Sequence, residues 1–131
     1  MANPDATVLV VDDDPDVLMV ASTALANQGY KVLEANSGAD ALRLLHEQPG
    51  VSLLFTDIVM PGRLNGIALA SELRARDPAA RILFTSGFSS PVTLRAKIDG
   101  FDADLISKPY RKTELAFLVR SVLNKVMEAA D

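Results

Sequence analysis

The sequence lacks cysteine, and it also lacks an excess of positive charge. Without cysteine, the chain can form no disulfide bond and can bind no metal through thiolates. The absence of cysteine also weakly favours a reducing compartment. Seventeen acidic residues outnumber 13 basic ones, which gives a formal net charge of -4. An acidic domain is poorly suited to wrapping nucleic acid, because that task requires a basic face.

Long apolar runs are missing as well, since no stretch approaches the length of a membrane span. The first residues do not show the basic and then apolar segments of a signal peptide. We therefore expect a cytoplasmic protein that binds neither membrane nor nucleic acid. Hydrophobic residues make up 49% of the chain, which is enough for a core. The length fits a single domain over residues 1–131, with a core from about residue 7 to about residue 127.

Short apolar runs alternate with longer helical patterns along the chain. The runs that begin at Thr7, Ser52 and Arg81 are continuous, which is typical of strands buried on both faces of a parallel sheet. Two weaker strands are predicted, an edge strand over Tyr30–Ala35 and a last strand over Ala103–Ser107. Helical spacing predicts five helices, beginning after Asp14, after Ser37, near Gly66, over Pro91–Asp99 and near Leu115. The order predicts an α/β, doubly wound, five-stranded parallel sheet with helices on both faces.

Polar side chains collect where the predicted strands end. In doubly wound sheets, sites lie at the carboxyl ends of the strands, near the switch in strand order. With a strand order of 2-1-3-4-5, three carboxylates, one hydroxyl and one ammonium would share one crevice. The residues are Asp12 and Asp13 after the first strand, Asp57 after the third, Ser86 after the fourth and Lys108 after the fifth.

The chemistry of these groups favours a metal and a phosphoryl group. Crowded carboxylates repel each other, and an oxygen-only cluster suits a hard cation such as Mg²⁺ or Mn²⁺. The metal and Lys108 would offset the charge of an incoming phosphoryl group, and Ser86 could donate a hydrogen bond to it. Asp57 is the best nucleophile candidate, because it stands alone opposite the acid pair and can form an aspartyl phosphate.

Four motifs resemble those of the receiver domains of two-component response regulators. Each is weak alone, but together they stand in the right order, each after its predicted strand. The resemblance covers nearly the whole chain, from about Thr7 to about Met127, and it implies the flavodoxin-like strand order 2-1-3-4-5. The motifs are Val10–Asp13, Asp57–Gly62, Thr85–Gly87 and Lys108–Pro109.

The resemblance also implies a role for each site residue. Asp57 would be the phosphoacceptor, and Lys108 would pair with the phosphoryl group. Ser86 would be the switch hydroxyl, and the Lys108–Pro109 bond would be cis. Leu105 stands where the family often has an aromatic switch residue, so a different packing change would report on Ser86. The implied Mg²⁺ ligands are Asp12, Asp13, Asp57 and the backbone carbonyl of Val59.

The function that the resemblance implies is signalling, not turnover of a substrate. The domain would catalyse only its own phosphorylation and dephosphorylation, so we do not expect an enzyme. A histidine kinase or a histidine phosphotransfer protein would donate the phosphoryl group. A downstream protein would meet the face formed by the predicted helix at 91–99, the fifth strand and the last helix. Both a stand-alone regulator and a receiver from a longer protein, such as a hybrid kinase, are compatible with the sequence.

Two other functions and one other metal site compete with this interpretation. A phosphohydrolase with an aspartyl-phosphate intermediate commonly has a second aspartate where this chain has Val59. A receiver-like module that is never phosphorylated would not need all five site residues. A calcium loop starting at Asp12 is excluded, because Val17 occupies the required glycine position and Thr23 the closing glutamate position. The single histidine, His46, lies among polar neighbours and is predicted to be solvated.

Overall fold

The computed structural model describes residues 6–62, 64–87 and 103–124. The strands form one parallel sheet in the order β2-β1-β3-β4-β5. The predicted doubly wound α/β fold is confirmed, while the predicted helix at 91–99 lies outside the described residues. None of the helices described is long and apolar enough to cross a membrane. The strands are β1 (Thr7–Val11), β2 (Lys31–Ala35), β3 (Leu53–Asp57), β4 (Arg81–Ser86) and β5 (Asp104–Ser107), and the helices of the described residues are α1 (Pro15–Asn27), α2 (Gly38–Glu47), α3 (Gly66–Arg76) and α4 (Lys112–Asn124).

Two strands extend further toward the site than the apolar runs indicate. Asp57 is the last residue of β3 and pairs in register with Thr85 of β4. Ser86 is the last residue of β4 and pairs with Ser107 of β5. Both polar residues belong to the ladder because a neighbouring strand still offers backbone partners there, although their side chains do not continue the apolar pattern. Asp57 and Ser86 are therefore held by the sheet itself and not by a loop.

Side-chain caps determine where the helices that follow the site begin. The Asp14 carboxylate accepts hydrogen bonds from the backbone N–H groups of Asp16, at 2.9 Å, and Val17, at 3.4 Å. Pro15, which needs no hydrogen-bond acceptor for its nitrogen, is the first residue of α1, as predicted. The Asn65 side chain accepts from the N–H of Ala68 at 2.9 Å and caps α3 in the same way. These caps fix the direction in which the chain leaves β1 and β3.

The core consists of two clusters, one on each face of the sheet. Leu54 and Leu69 belong to the cluster under α2 and α3, while Phe55 and Leu115 belong to the cluster under α1 and α4. Successive residues of β3 point to opposite faces, so both neighbours, Leu54 and Phe55, are buried. This burial on both faces explains the continuous apolar runs of the central strands. It also fixes β1 and β3 side by side, so that their carboxyl ends lie at the same edge.

Candidate functional site

Three carboxylates meet at the carboxyl edge of the sheet. One oxygen from each of Asp12, Asp13 and Asp57 lies within 4.8 Å of the others. Asp12 and Asp57 are buried, with 2% and 6% of their surface exposed, whereas Asp13 is exposed. The sheet register explains why these carboxylates lie close together. Val11 of β1 pairs with Thr56 of β3, and acidic residues follow directly after both. The structure thus brings together the three carboxylates that the sequence places at strand ends.

Lys108 bridges two of these carboxylates. Its Nζ lies 2.9 Å from Asp12 Oδ2 and 3.0 Å from Asp57 Oδ2, and it donates a hydrogen bond to the latter. The backbone places it there, since the Lys108 N–H donates to the carbonyl oxygen of Ser86 at 3.0 Å and so continues the pairing of β4 with β5. The predicted cis bond between Lys108 and Pro109 is present. One ammonium therefore partly neutralises two buried carboxylates.

The directions in which the pKa values of Asp57 and Lys108 are shifted indicate that this neutralisation is incomplete. Burial raises the pKa of Asp57 above its ordinary value, Lys108 acts in the opposite direction, and the nearby charge of Asp12 adds to the rise. Burial alone would lower the pKa of Lys108, but its pairing with Asp12 and Asp57 outweighs burial and raises that pKa. Lys108 is therefore a charged ammonium at neutral pH. The raised pKa of Asp57 shows that the cluster would still be stabilised by further positive charge.

The residues present fit a small, hard cation. Asp12 Oδ2 is buried and accepts no well-aligned hydrogen bond, despite its short distance to the Lys108 ammonium. Within the described residues, the hydrogen bond that Asp57 Oδ1 accepts is a long one, 3.4 Å from the Val59 N–H. The donor atoms are all oxygens, and they lie within 4.8 Å of one another. Asp12, Asp13 and Asp57 are therefore the residues that would hold a hard cation such as Mg²⁺.

The remaining predicted residues lie beside this cluster or away from it. Ser86 is 3% exposed and contacts Lys108 through its backbone carbonyl, so the role of its hydroxyl stays a prediction. Val59 follows Asp57 by two residues with half of its side chain exposed, and the role of its carbonyl as a metal ligand also stays a prediction. His46 is exposed on α2, where it contacts the Arg76 guanidinium. It takes no part in the acid cluster.

Gly66 supports the site in a way that the sequence reasoning missed. A Cβ atom at this position would lie 2.1 Å from the carbonyl oxygen of Asp57 and 2.9 Å from Cα of Ile58. The Gly66 N–H also donates to the Ile58 carbonyl at 3.1 Å. The first turn of α3 thus packs directly on the backbone that carries Asp57. The only sequence signal was a glycine near the predicted start of this helix.

Tyr110 is the second residue that the sequence reasoning missed. It follows Lys108 by two positions, and its ring packs edge-on against Phe55, with 5.8 Å between the ring centroids and 64° between the ring planes. Burial, and next the charge of Asp12, raises the pKa of Tyr110 to about 12. A cavity of about 490 Å³ lies beside it, between α1 and the Lys108–Tyr110 segment. An aromatic residue close behind the candidate lysine was the available signal.

Comparisons with known proteins agree with this geometry. The family model for the response regulator receiver domain matches residues 8–120. The chain is 38% identical over 117 residues to the response regulator receiver protein CpdR of Brucella abortus (strain 2308), covering 88% of this chain and 95% of CpdR. It is 36% identical over 121 residues to the sensor kinase CckA of the same strain, covering 92% of this chain but only 13% of the kinase. The crystal structure of the receiver domain of NtrX from Brucella abortus superposes with a TM-score of 0.82 at 28% identity, covering 91% of this chain and 99% of that one.

Proposed function

Because this chain belongs to the response regulator receiver domain family, we propose that it accepts a phosphoryl group on Asp57 and changes conformation in response. The observation that carries the proposal is the cluster itself. Asp57 ends the most buried strand with Lys108 Nζ 3.0 Å away and the carboxylates of Asp12 and Asp13 beside it. A nucleophile, a cation for the phosphoryl oxygens and a set of metal ligands therefore converge on one point.

The proposed reaction transfers a phosphoryl group from a phosphohistidine to the Asp57 carboxylate. A carboxylate oxygen attacks phosphorus, the phosphorus–nitrogen bond breaks, and the donor imidazole leaves with the bonding electron pair and takes up a proton. Mg²⁺, when bound, would offset the negative charge on the phosphoryl oxygens. Lys108 supplies a second positive charge, which the sheet already places beside the acceptor. The chain thus contributes positioning and electrostatic stabilisation.

The response would begin with a change of partner for Lys108. Phosphorylation replaces the single charge of the Asp57 carboxylate by roughly -1.5 to -2 charges. The Lys108 ammonium, which is now shared between Asp12 and Asp57, is then drawn toward the phosphoryl oxygens. Its backbone N–H is bonded to the Ser86 carbonyl, so the end of β4 feels the same change. The Ser86 hydroxyl is our candidate for the group that moves together with Lys108 toward the phosphoryl oxygens. This movement would shift an existing conformational equilibrium.

A histidine kinase or a histidine phosphotransfer protein is the donor that we propose for this reaction. The similarity to CpdR and to part of CckA supports a two-component partner of this kind. For the downstream protein we propose the face that β5 and α4 help to form. The helix predicted at 91–99, which would complete that face, lies outside the described residues.

Acetyl phosphate, a small phosphodonor, tests the proposed function directly. We expect slow, Mg²⁺-dependent labelling that stops at one phosphoryl group per chain, measured by intact-protein mass spectrometry. Release of phosphate over many rapid turnovers would instead identify a phosphohydrolase, which the apolar Val59 side chain beside Asp57 disfavours. A folded protein that stays unlabelled with donor and Mg²⁺ in excess would refute the phosphoacceptor function.

Mg²⁺ is also expected to stabilise the fold. We propose that it binds to the carboxylates of Asp12, Asp13 and Asp57 and to the Val59 carbonyl, none of which is arranged in the unfolded chain. At ten times its dissociation constant, a ligand of the folded state adds ~1.4 kcal/mol to the free energy of unfolding. For a domain of this size, that raises the thermal midpoint by roughly 5 °C.

Two asparagine variants separate a specific site from a general effect of salt. Asp12→Asn removes a buried ligand and should lose most of the Mg²⁺-induced shift. Asp14→Asn alters an exposed residue two positions away whose side chain caps α1, and asparagine is an equally good cap. The Asp14→Asn protein should keep the shift. Equal shifts in both variants, measured by thermal unfolding monitored by circular dichroism, would contradict the proposed ligands.

A further inference from the structure

The segment that carries Lys108 has a cavity on one side. Lys108, Pro109 and Tyr110 form one wall of this 490 Å³ space, and Val17 and Val20 of α1 lie on the opposite wall. Among the described residues, this open space lies between the segment and α1, so the two do not pack against each other along this wall. The position of the Lys108 ammonium must therefore be set by other contacts.

The contacts that hold the segment to the sheet include two besides the ion pairs of Lys108. One is the backbone hydrogen bond from the Lys108 N–H to the Ser86 carbonyl, at 3.0 Å. The other is the edge-on packing of the Tyr110 ring against Phe55, with 5.8 Å between centroids. Phe55 is 2% exposed and stands on β3, two residues before Asp57, so both side chains project from the same face of that strand. Tyr110 thus fastens the segment to the strand that carries the phosphoacceptor.

We propose that Tyr110 is a positioning residue, which holds the Lys108 ammonium within reach of Asp57 by packing its ring against Phe55. The lysine side chain is a flexible stem with many rotamers, so an ordered backbone limits the volume that its ammonium explores. The aromatic ring of Tyr110, and not its hydroxyl, positions the Lys108 ammonium. A phenol is already neutral at neutral pH, and the raised pKa of Tyr110 moves its ionisation further from that range, so the ring adds no charge to the cluster.

The kinetic test rests on the proposed phosphoacceptor function. Tyr110→Ala is expected to slow labelling by acetyl phosphate roughly tenfold, since small displacements of catalytic groups have large effects on rate. Tyr110→Phe keeps the ring and should retain the wild-type rate within about twofold. Lys108→Ala should slow labelling at least as much as Tyr110→Ala does. In the Lys108→Ala background, Tyr110→Ala should cause no further loss, because Tyr110 acts through Lys108.

Tyr30→Ala is the matched control for the loss of an aromatic ring. Tyr30 is the only other tyrosine, is 5% exposed, and belongs to the same core cluster. It directly precedes β2 and therefore lies at the opposite edge of the sheet from the site. The folded Tyr30→Ala protein should be labelled at the wild-type rate. An equal slowing of labelling in Tyr30→Ala and Tyr110→Ala would overturn the proposal. Additive losses of rate in the variant that combines Lys108→Ala with Tyr110→Ala would overturn it as well.

A second measurement needs no phosphorylation. Acetylation by N-hydroxysuccinimide acetate, mapped by peptide mass spectrometry, reports how accessible each lysine amine is. Lys108, whose side chain is 21% exposed, should react severalfold faster in Tyr110→Ala than in the wild type, whereas the exposed Lys31 and Lys112 should not change. Unchanged protection of Lys108 would overturn the role of Tyr110. Wild-type protein that shows this protection but accepts no phosphoryl group would refute the proposed function alone.

Discussion

Replacement of Asp57 by asparagine is expected to abolish labelling by acetyl phosphate and to stabilise the protein in the absence of divalent ions. The first effect follows from the loss of the nucleophile, because an amide oxygen does not form the acyl phosphate. The second effect follows from burial, which raises the pKa of Asp57 even though Lys108 opposes the rise. A carboxyl group whose pKa is higher in the folded state stabilises the fold fully below its unfolded pKa. That contribution is lost as the pH rises through the folded pKa, and neutral asparagine has no charged form to bury.

Mass spectrometry and urea denaturation measure the two effects. The free energy of unfolding of Asp57→Asn should exceed that of the wild type at neutral pH, and the difference should shrink as the pH falls toward the pKa of an unfolded aspartate. Asp16→Asn is the control, because Asp16 is an exposed acid of α1 outside the cluster. It should be labelled normally and should show no such stabilisation. Labelling that persists in Asp57→Asn would assign the phosphoryl group to another residue.

Substitution of Gly66 by alanine is expected to be severe. Its Cβ would lie 2.1 Å from the Asp57 carbonyl oxygen, which is far inside van der Waals contact, and the three nearest atoms all belong to the backbone of Asp57 and Ile58. Either α3 or the end of β3 must shift, and overpacking of this kind typically costs about 1–3 kcal/mol of folding stability. A displacement of Asp57 by about 1 Å would slow its phosphorylation up to ~100-fold.

Gly87→Ala provides the comparison for Gly66→Ala. Gly87 lies next to the site as well, but a Cβ there would approach Lys108 Cβ no closer than 3.5 Å, which is ordinary contact. Gly87→Ala should therefore unfold at nearly the wild-type urea concentration and should be labelled at nearly the wild-type rate. If Gly66→Ala unfolded at the same urea concentration as Gly87→Ala and were labelled at the same rate, the close approach of α3 to Asp57 would not matter for stability or for phosphorylation.

The architecture could be predicted from the sequence because local patterns determine it. The continuous apolar runs at β1, β3 and β4 identify strands covered on both faces, and Asp14 with Pro15 marks the start of α1. The apolar runs predict that Asp57 and Ser86 follow the third and fourth strands, whereas each is the last residue of its strand in the structure. Strand ends depend on whether a neighbouring strand still offers backbone partners, and this information lies elsewhere in the chain.

The residues that make up the candidate site could be predicted from the sequence, but the contacts between them could not. Strand order and strand ends suffice to bring Asp12, Asp13 and Asp57 to one edge. Lys108 bridges two carboxylates because of its side-chain rotamer and because of how deeply each carboxylate is buried. No local sequence pattern encodes either of these. The close approach of Gly66 to Asp57 and the packing of Tyr110 on Phe55 join positions that are distant in the chain, so neither follows from residue spacing.

The complete burial of β3 has a consequence for hydrogen exchange. All five of its residues are buried, and it pairs with β1 on one side and β4 on the other. Amides in such a central strand exchange with solvent deuterium only when the whole domain unfolds, whereas those at frayed ends exchange through local openings. The amides at the centre of this strand, such as that of Phe55, should therefore be among the slowest to exchange. The strand that carries the proposed phosphoacceptor would then stay in place for as long as the fold itself survives.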